Sequence, residues 1–122
     1  MALAMAARLE KEATTTDERI RRAFRLAFGR SPDAREIQVS REHLTRMAAY
    51  HKANAAPAKP ERKPLAHKIT SELTGETFEF VQQEDPLPFE PNLHSSDVGP
   101  ETRALSDLAL VLLNSNEFVY VY

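Results

Sequence analysis

The distribution of apolar residues along the chain constrains the fold more than any other feature. Of the 122 residues, 42% are hydrophobic, and they are concentrated at the two ends, whereas the middle is rich in Pro, Lys and Glu. A chain of this size folds around one modest core. The two ends must therefore supply that core together, and we expect residues 1–122 to form a single domain.

The N-terminal quarter predicts two helices. Residues 1–12 consist largely of strong helix formers, but no capping residue precedes them, which indicates a helix cut from a longer protein. Thr15 and Glu18 have the spacing of a capping box, in which each side chain bonds the backbone N–H of the other residue. The helix that they open runs to about Phe28, because Gly29 supplies the left-handed residue that often ends a helix.

A third helix is predicted after a short joint. Asp33 and Glu36 form a second capping box and open a helix that reaches about Tyr50. Pro32 at the first helical position, preceded by Ser31 as the cap, is the alternative start. A joint this short predicts that the second and third helices pack on each other as an αα-hairpin.

Two segments of the middle have little to bury. Residues 52–64 contain three prolines, several alanines and alternating charges, so we expect a flexible internal linker. Residues 82–97 contain three more prolines among acidic side chains and predict an extended surface segment.

The segment between them is compatible with two structures. Leucine or isoleucine recurs every four residues from Leu65 to Leu73, which favours a short helix ending at Thr74. The alternative is a β-hairpin that turns at Thr74 and Gly75, because residues 77–81 alternate between apolar and polar as a strand does.

The last helix is predicted to begin at Gly99 and Pro100 and to be apolar on most sides. A helix of this kind is buried among others, so we place it at the centre of the core. Asn114 is expected to end it in a left-handed conformation. With the preceding elements, this gives an all-α or α-dominated fold of about four to five helices, with an extended Pro-rich segment and a short strand or hairpin as the only β-structure.

The chain ends in an apolar tail. If the tail is extended, period-two alternation places Phe118, Tyr120 and Tyr122 on one face. An apolar terminus is normally docked on its own domain or held by a partner. We expect Phe118 and Tyr120 to be buried against the αα-hairpin.

The composition excludes several classes of chemistry. Without cysteine, the chain has no disulfide, thiolate zinc site or thiol catalyst. His43 and His51 are eight residues apart on the third helix, whereas helical metal ligands are usually four apart, so we interpret both as solvated surface residues and predict no metal or other cofactor. No catalytic motif is present, and no apolar run approaches the roughly 20 residues of a membrane span.

Charge is divided unevenly between the halves. Residues 1–64 carry 14 Lys and Arg against 8 Asp and Glu, whereas residues 65–122 carry 2 against 10. We favour the interpretation that the two halves face each other over the alternative of an anionic ligand. Nucleic-acid binding is disfavoured, because the net charge is −2 and no aromatic side chain is interleaved with the arginines of the second helix.

Four sequence segments carry a resemblance to a known family. They are FRLAFGR at 24–30, LTGE at 73–76, RALSDL at 103–108 and VLLNSNEFVYV at 111–121. In this order they resemble the C-terminal region of a family of large planctomycete proteins. That region is a domain of unknown function that is often found in chains with cytochrome-c-like haem modules. The resemblance implies an exported protein and a chain that is the C-terminal part of a larger one, and it transfers no catalytic residue.

We therefore expect a structural or interaction module at the C-terminus of a larger exported protein, whose partner is the remainder of the parent polypeptide or another protein. The alternative is a contribution to a redox or carbohydrate-active site completed by the missing N-terminal region, which leaves open whether the chain belongs to an enzyme. Polar groups beside an apolar helix end are costly unless they are paired or used. The candidate residues, for interaction or for capping the helix and holding the tail, are Arg103, Asn114, Asn116, Glu117, Phe118 and Tyr120.

Overall fold

The computed structural model describes residues 1–59, 65–82 and 92–120. The chain forms two compact units. The helical unit combines Met1–Ala58 with Leu93–Tyr122, and the hairpin unit comprises Lys59–Asn92. The two ends of the chain thus meet in one unit, as the distribution of apolar residues predicts.

The helical unit contains five α-helices among its described residues, which confirms an α-dominated fold. A single 3₁₀ turn, Ser95–Asp97, precedes the fourth helix. The helices are α1 Ala2–Glu12, α2 Thr16–Phe28, α3 Ala34–Ala53, α4 Pro100–Leu113 and α5 Asn116–Val119.

Local sequence signals fix the ends of α2 and α3. The backbone N–H of Glu18 donates to the Thr15 hydroxyl at 3.3 Å, and the backbone N–H of Glu36 donates to Asp33 at 2.7 Å. Both reciprocal bonds are also present, so both predicted capping boxes are confirmed. Gly29 ends α2 at φ 70°, a left-handed conformation that costs a glycine little.

The core is built around α4, as predicted. This helix packs against α1 and α3, and more than a third of its residues are buried. The αα-hairpin is weaker than expected: α2 and α3 touch, but α3 packs chiefly on α4, and its one buried residue is Ser40. The buried apolar side chains of the helical unit are Ala6, Leu9, Ala13, Ile20, Ala23, Phe24, Ala104, Leu105, Leu108, Ala109 and Leu112.

The hairpin unit contains strands β1 Leu65–Thr70 and β2 Thr77–Gln82, paired antiparallel with Thr70 opposite Thr77. The favoured helix over 65–73 is therefore wrong, and the alternative hairpin is confirmed. A four-residue spacing of apolar residues fits one face of a strand as well as one face of a helix, and β2 supplies the pairing partner. The ring of His67 also stacks on that of Phe80 across the strands, with 5.1 Å between centroids.

The structure describes only parts of the two segments that were expected to be irregular. Of the linker predicted at 52–64, residues 52–53 belong to α3, which ends at Ala53, and residues 60–64 lie outside the described chain. Of the Pro-rich segment 82–97, residues 83–91 are likewise outside it.

The C-terminus differs from the prediction in two respects. Asn114 has φ −95° and ψ 1°, so it does not end α4 in a left-handed conformation. The tail is a short helix rather than an extended strand, and Phe118 and Tyr120 are 40% and 59% exposed instead of buried. The physical reason is local, because the carbonyls of Ser115 and Asn116 accept backbone bonds from Val119 and Tyr120. Residues 121–122, including the predicted face of Tyr122, lie outside the described chain.

Candidate functional site

The residues proposed from the sequence lie at opposite ends of α4. Arg103 is in its first turn, whereas Asn114, Asn116 and Glu117 follow its last turn. Eleven residues separate the first two of these, which corresponds to about 16 Å along a helix. The structure therefore does not bring them into one site.

Arg103 caps the C-terminal end of α3. Its guanidinium donates to the carbonyl oxygens of His51 at 3.2 Å and Asn54 at 3.3 Å. The last carbonyls of a helix have no intrahelical donor and carry partial negative charge. Arg103 is thus engaged in holding α3 to α4.

Asn114 and Glu117 fix the end of α4 and the tail. The side-chain amide of Asn114 donates to the Leu110 carbonyl at 2.9 Å. The carboxylate of Glu117 accepts two bonds from Arg30, at 2.5 and 2.8 Å, and Arg30 also donates two bonds to Glu36. Asn114 is therefore bonded to the last turn of α4, and Glu117 is bonded to Arg30 at the joint between α2 and α3.

The ion pairs of Arg30 perturb the pKa values of both of its carboxylate partners. Hydrogen bonds from Arg30 lower the pKa of Glu36 to about 2 and hold that of Glu117 below its ordinary value. The guanidinium also lies 5.6 Å and 5.5 Å from the ring centroids of Phe24 and Phe28. Arg30 therefore joins the end of α2, the start of α3 and α5.

A groove of about 320 Å³ lies between α3 and α4, and most of its lining is apolar. We call it the α3–α4 groove. Val39 and Val111 stand on its two sides and remain 56% and 58% exposed. Its other lining residues are Phe24, Arg35, Glu36, Ser40, His43, Arg46, Leu108 and Leu112.

The α3 side of the groove is one continuous helical stripe. Arg35, Val39, His43 and Arg46 are spaced at i, i+4, i+8 and i+11, which places them on one face. The core contacts of α3 come from other positions, such as Leu44. The helical unit does not use this stripe to build its core.

Two unpaired cations border the stripe. Within the part of the chain that the structure describes, neither Arg35 nor Arg46 forms an ion pair or a hydrogen bond, whereas Arg41 on the same helix pairs with Asp17. The one acidic lining residue, Glu36, is held by Arg30. The rim of the groove is therefore positively charged on balance.

His43 places a polar atom inside this apolar environment. Its Nε2 is buried and has no hydrogen-bond partner among the described residues. Burial lowers the pKa of His43 below its ordinary value, an effect that the carboxylate of Asp107 opposes and that Arg46 reinforces.

His51 and Asp107 form a polar pair along the α3–α4 contact. His51 Nε2 lies 2.6 Å from an Asp107 oxygen, and the His51 side chain is only 16% exposed. The interpretation of His43 and His51 as solvated surface residues is thus wrong. Sequence could not show this, because the burial of both depends on which part of α4 lies beside α3. Among the described residues, no three His, Asp or Glu side chains converge as metal ligands would.

A second depression, of about 400 Å³, lies among the starts of α2 and α4 and the middle of α3. Its charged lining residues are largely committed to the fold. Arg41 pairs with Asp17, Arg19 donates to the Ala13 carbonyl at 3.1 Å, and Glu101 pairs with Lys52. This arrangement leaves few groups to bind a ligand.

No helix in the described residues is both long and apolar enough to cross a membrane. No protein-family model matches the chain, and comparisons with curated proteins and with solved structures give no match.

Proposed function

We propose that the helical unit is an interaction module that binds a protein partner through the α3–α4 groove. The observation that carries the proposal is the exposure of Val39 and Val111 on opposite sides of a floor made by Phe24, Leu108 and Leu112. Grooves with apolar walls and a polar rim are typical sites for a partner's side chains.

The energetics favour such a role. Complete burial of a valine or leucine side chain contributes about 1.5–3 kcal/mol. Val39 and Val111 are each a little more than half exposed, so a partner that covered them would gain about 1 kcal/mol from each. A partner that also inserted its own apolar side chains between them would gain further free energy without any rearrangement of the core.

On the resemblance to planctomycete proteins alone, we propose that this module is the C-terminal part of a larger exported protein. The partner is then the remainder of that parent polypeptide or a separate protein. The redox or carbohydrate-active alternative has less support, because Arg103 and Glu117 lie at opposite ends of α4 and both are engaged in tying helices together.

Site-specific photo-cross-linking tests the proposal. A benzoylphenylalanine placed at Val39 in the full chain should form an adduct with one partner of defined mass in the cells that produce the protein. The same probe at Thr45, exposed on another face of α3, is the matched control. An adduct at Val39 that excess unlabelled protein suppresses supports the proposal, whereas no adduct, or equal adducts at both positions, contradicts it.

A further inference from the structure

We infer that the partner element is an amphipathic α-helix that carries two acidic residues about three turns apart, one at each end of an apolar stripe. This inference rests on the proposed function of the α3–α4 groove and adds the chemistry of the occupant. It depends on three observations: the two helices that wall the groove, the unpaired cations among its lining residues, and the buried nitrogen of His43, which also lines it.

The walls of the groove favour a helix over a strand as the bound element. Its long sides are α3 and α4, which run antiparallel, since Val39 lies near Val111 whereas His51 lies near Asp107 and Arg103. Backbone N–H groups in the interior of both helices are already bonded within each helix. A strand added to a sheet binds through backbone groups, which these walls do not offer, whereas a helix binds through side chains at i, i+3, i+4 and i+7.

The distance between the two unpaired arginines of α3 determines how far apart the acidic residues of the partner helix must be. Arg35 and Arg46 are eleven residues apart on one face of α3, which corresponds to about 16 Å along the axis. A partner helix lying along α3 would reach both guanidiniums with acidic residues ten to twelve positions apart. Between them, its apolar side chains would meet Val39 and Val111.

The arginines on this face are left without a carboxylate partner by the described part of the helical unit. Arg30 and Arg41 have carboxylate partners within the helical unit, but Arg35 and Arg46 have none among the described residues. His43 lies between Arg35 and Arg46 in the sequence of α3, and its Nε2 is buried. A hydroxyl or carboxylate from the partner would supply the hydrogen bond that this nitrogen lacks there.

Selection from a helical peptide library tests the inference. An 18-residue library on a helix-favouring scaffold would be displayed and selected against the full chain. We expect enrichment of Asp or Glu at two positions ten to twelve apart, with apolar residues between them at helical spacing. Affinity for an enriched peptide would then be measured by fluorescence anisotropy.

Charge-reversal variants identify the contacts. Arg35→Glu and Arg46→Glu should each weaken binding by about fivefold or more, because each replaces an attraction with a repulsion. Arg25→Glu, an exposed arginine on α2, is the matched control and should leave the affinity within about twofold. A peptide whose corresponding acid is changed to Lys should regain affinity for the Arg46→Glu variant. Selected peptides without the acidic spacing, or affinities insensitive to both reversals, would overturn the inference.

Val39→Asp and Val111→Asp separate this inference from the proposed function. Both side chains are more than half exposed, so circular dichroism should show an unchanged fold. If selected peptides lack the acidic pattern but fail to bind both variants, the groove is still the binding site. That result refutes only the preference for acidic residues. Peptides unaffected by either variant refute both. Sedimentation velocity that shows a dimer of the wild type, and a monomer of Val39→Asp, would make a second copy the occupant and overturn the inference.

Discussion

The central position of α4 predicts a large cost for Leu105→Ala. The Leu105 side chain is only 3% exposed, in the middle of the helix that α1 and α3 cover. The substitution removes three buried carbon groups, worth about 2.4 kcal/mol at about 0.8 kcal/mol each. Incomplete collapse of the site adds roughly 1 kcal/mol for a cavity of about 40 Å³. The free energy of unfolding should therefore fall by about 3 kcal/mol, as measured by urea denaturation at 25 °C.

Leu110→Ala is the matched control on the same helix. Leu110 is 52% exposed and therefore loses only about half the transfer free energy, with no cavity. Its cost should be about 1 kcal/mol, offset slightly by the higher helix propensity of Ala. Equal costs for the two variants, or a cost below about 1 kcal/mol for Leu105→Ala, would show that α4 does not have the described orientation in the core.

Three further predictions concern the ion pairs, the groove and a turn. Arg30→Gln should destabilise the protein above about pH 5, and most of the deficit should be lost as the pH falls through about 2. This is because the carboxylates paired with Arg30 have lowered pKa values and contribute stability only when ionised; a deficit of the same size below about pH 2 as at neutral pH would contradict it. Burial lowers the pKa of His43 below 6.5, with opposite effects from Asp107, which raises it, and Arg46, which lowers it. The wild type should therefore lose stability as the pH falls below 6.5, and thermal melts of His43→Leu should lack that component. Gly29→Ala should cost about 1 kcal/mol at φ 70° and Gly29→Asn less, because Asn tolerates the left-handed region; equal costs in denaturant titrations would count against this argument.

Features that depend on nearby residues could be predicted from the sequence. Both capping boxes and the glycine that ends α2 involve groups at most four residues apart, so their chemistry is visible in the order of residues. The burial of α4 could also be predicted, because a helix that is apolar on most sides is stable only when other elements cover those sides.

Features that depend on distant packing could not be predicted in the same way. The segment at 65–70 pairs as a strand only because β2 lies beside it, and its apolar spacing alone fits a helix equally well. Phe118 was predicted to be buried, but the short helix that contains it leaves 40% of its surface exposed.

The α3–α4 groove was missed for the same reason. Arg35, Val39, His43 and Arg46 do show helical spacing in the sequence. However, only the antiparallel placement of α4, with Val111 on the opposite side, makes that stripe one wall of a groove. The sequence also could not show that Arg35 and Arg46 lack carboxylate partners among the residues that the structure describes. That depends on which carboxylates pair with other arginines in the fold, as Glu36 does with Arg30.

The most direct test of the groove as the binding surface is a titration of the ¹⁵N-labelled full chain with a selected peptide, followed by backbone amide chemical shifts. We expect the largest shifts between Arg35 and Arg46 on α3 and between Leu108 and Leu112 on α4, and we expect these shifts to be absent in Val111→Asp. Shifts concentrated instead at Phe118 to Tyr120, or in the hairpin unit, with the α3 stripe unchanged, would contradict it.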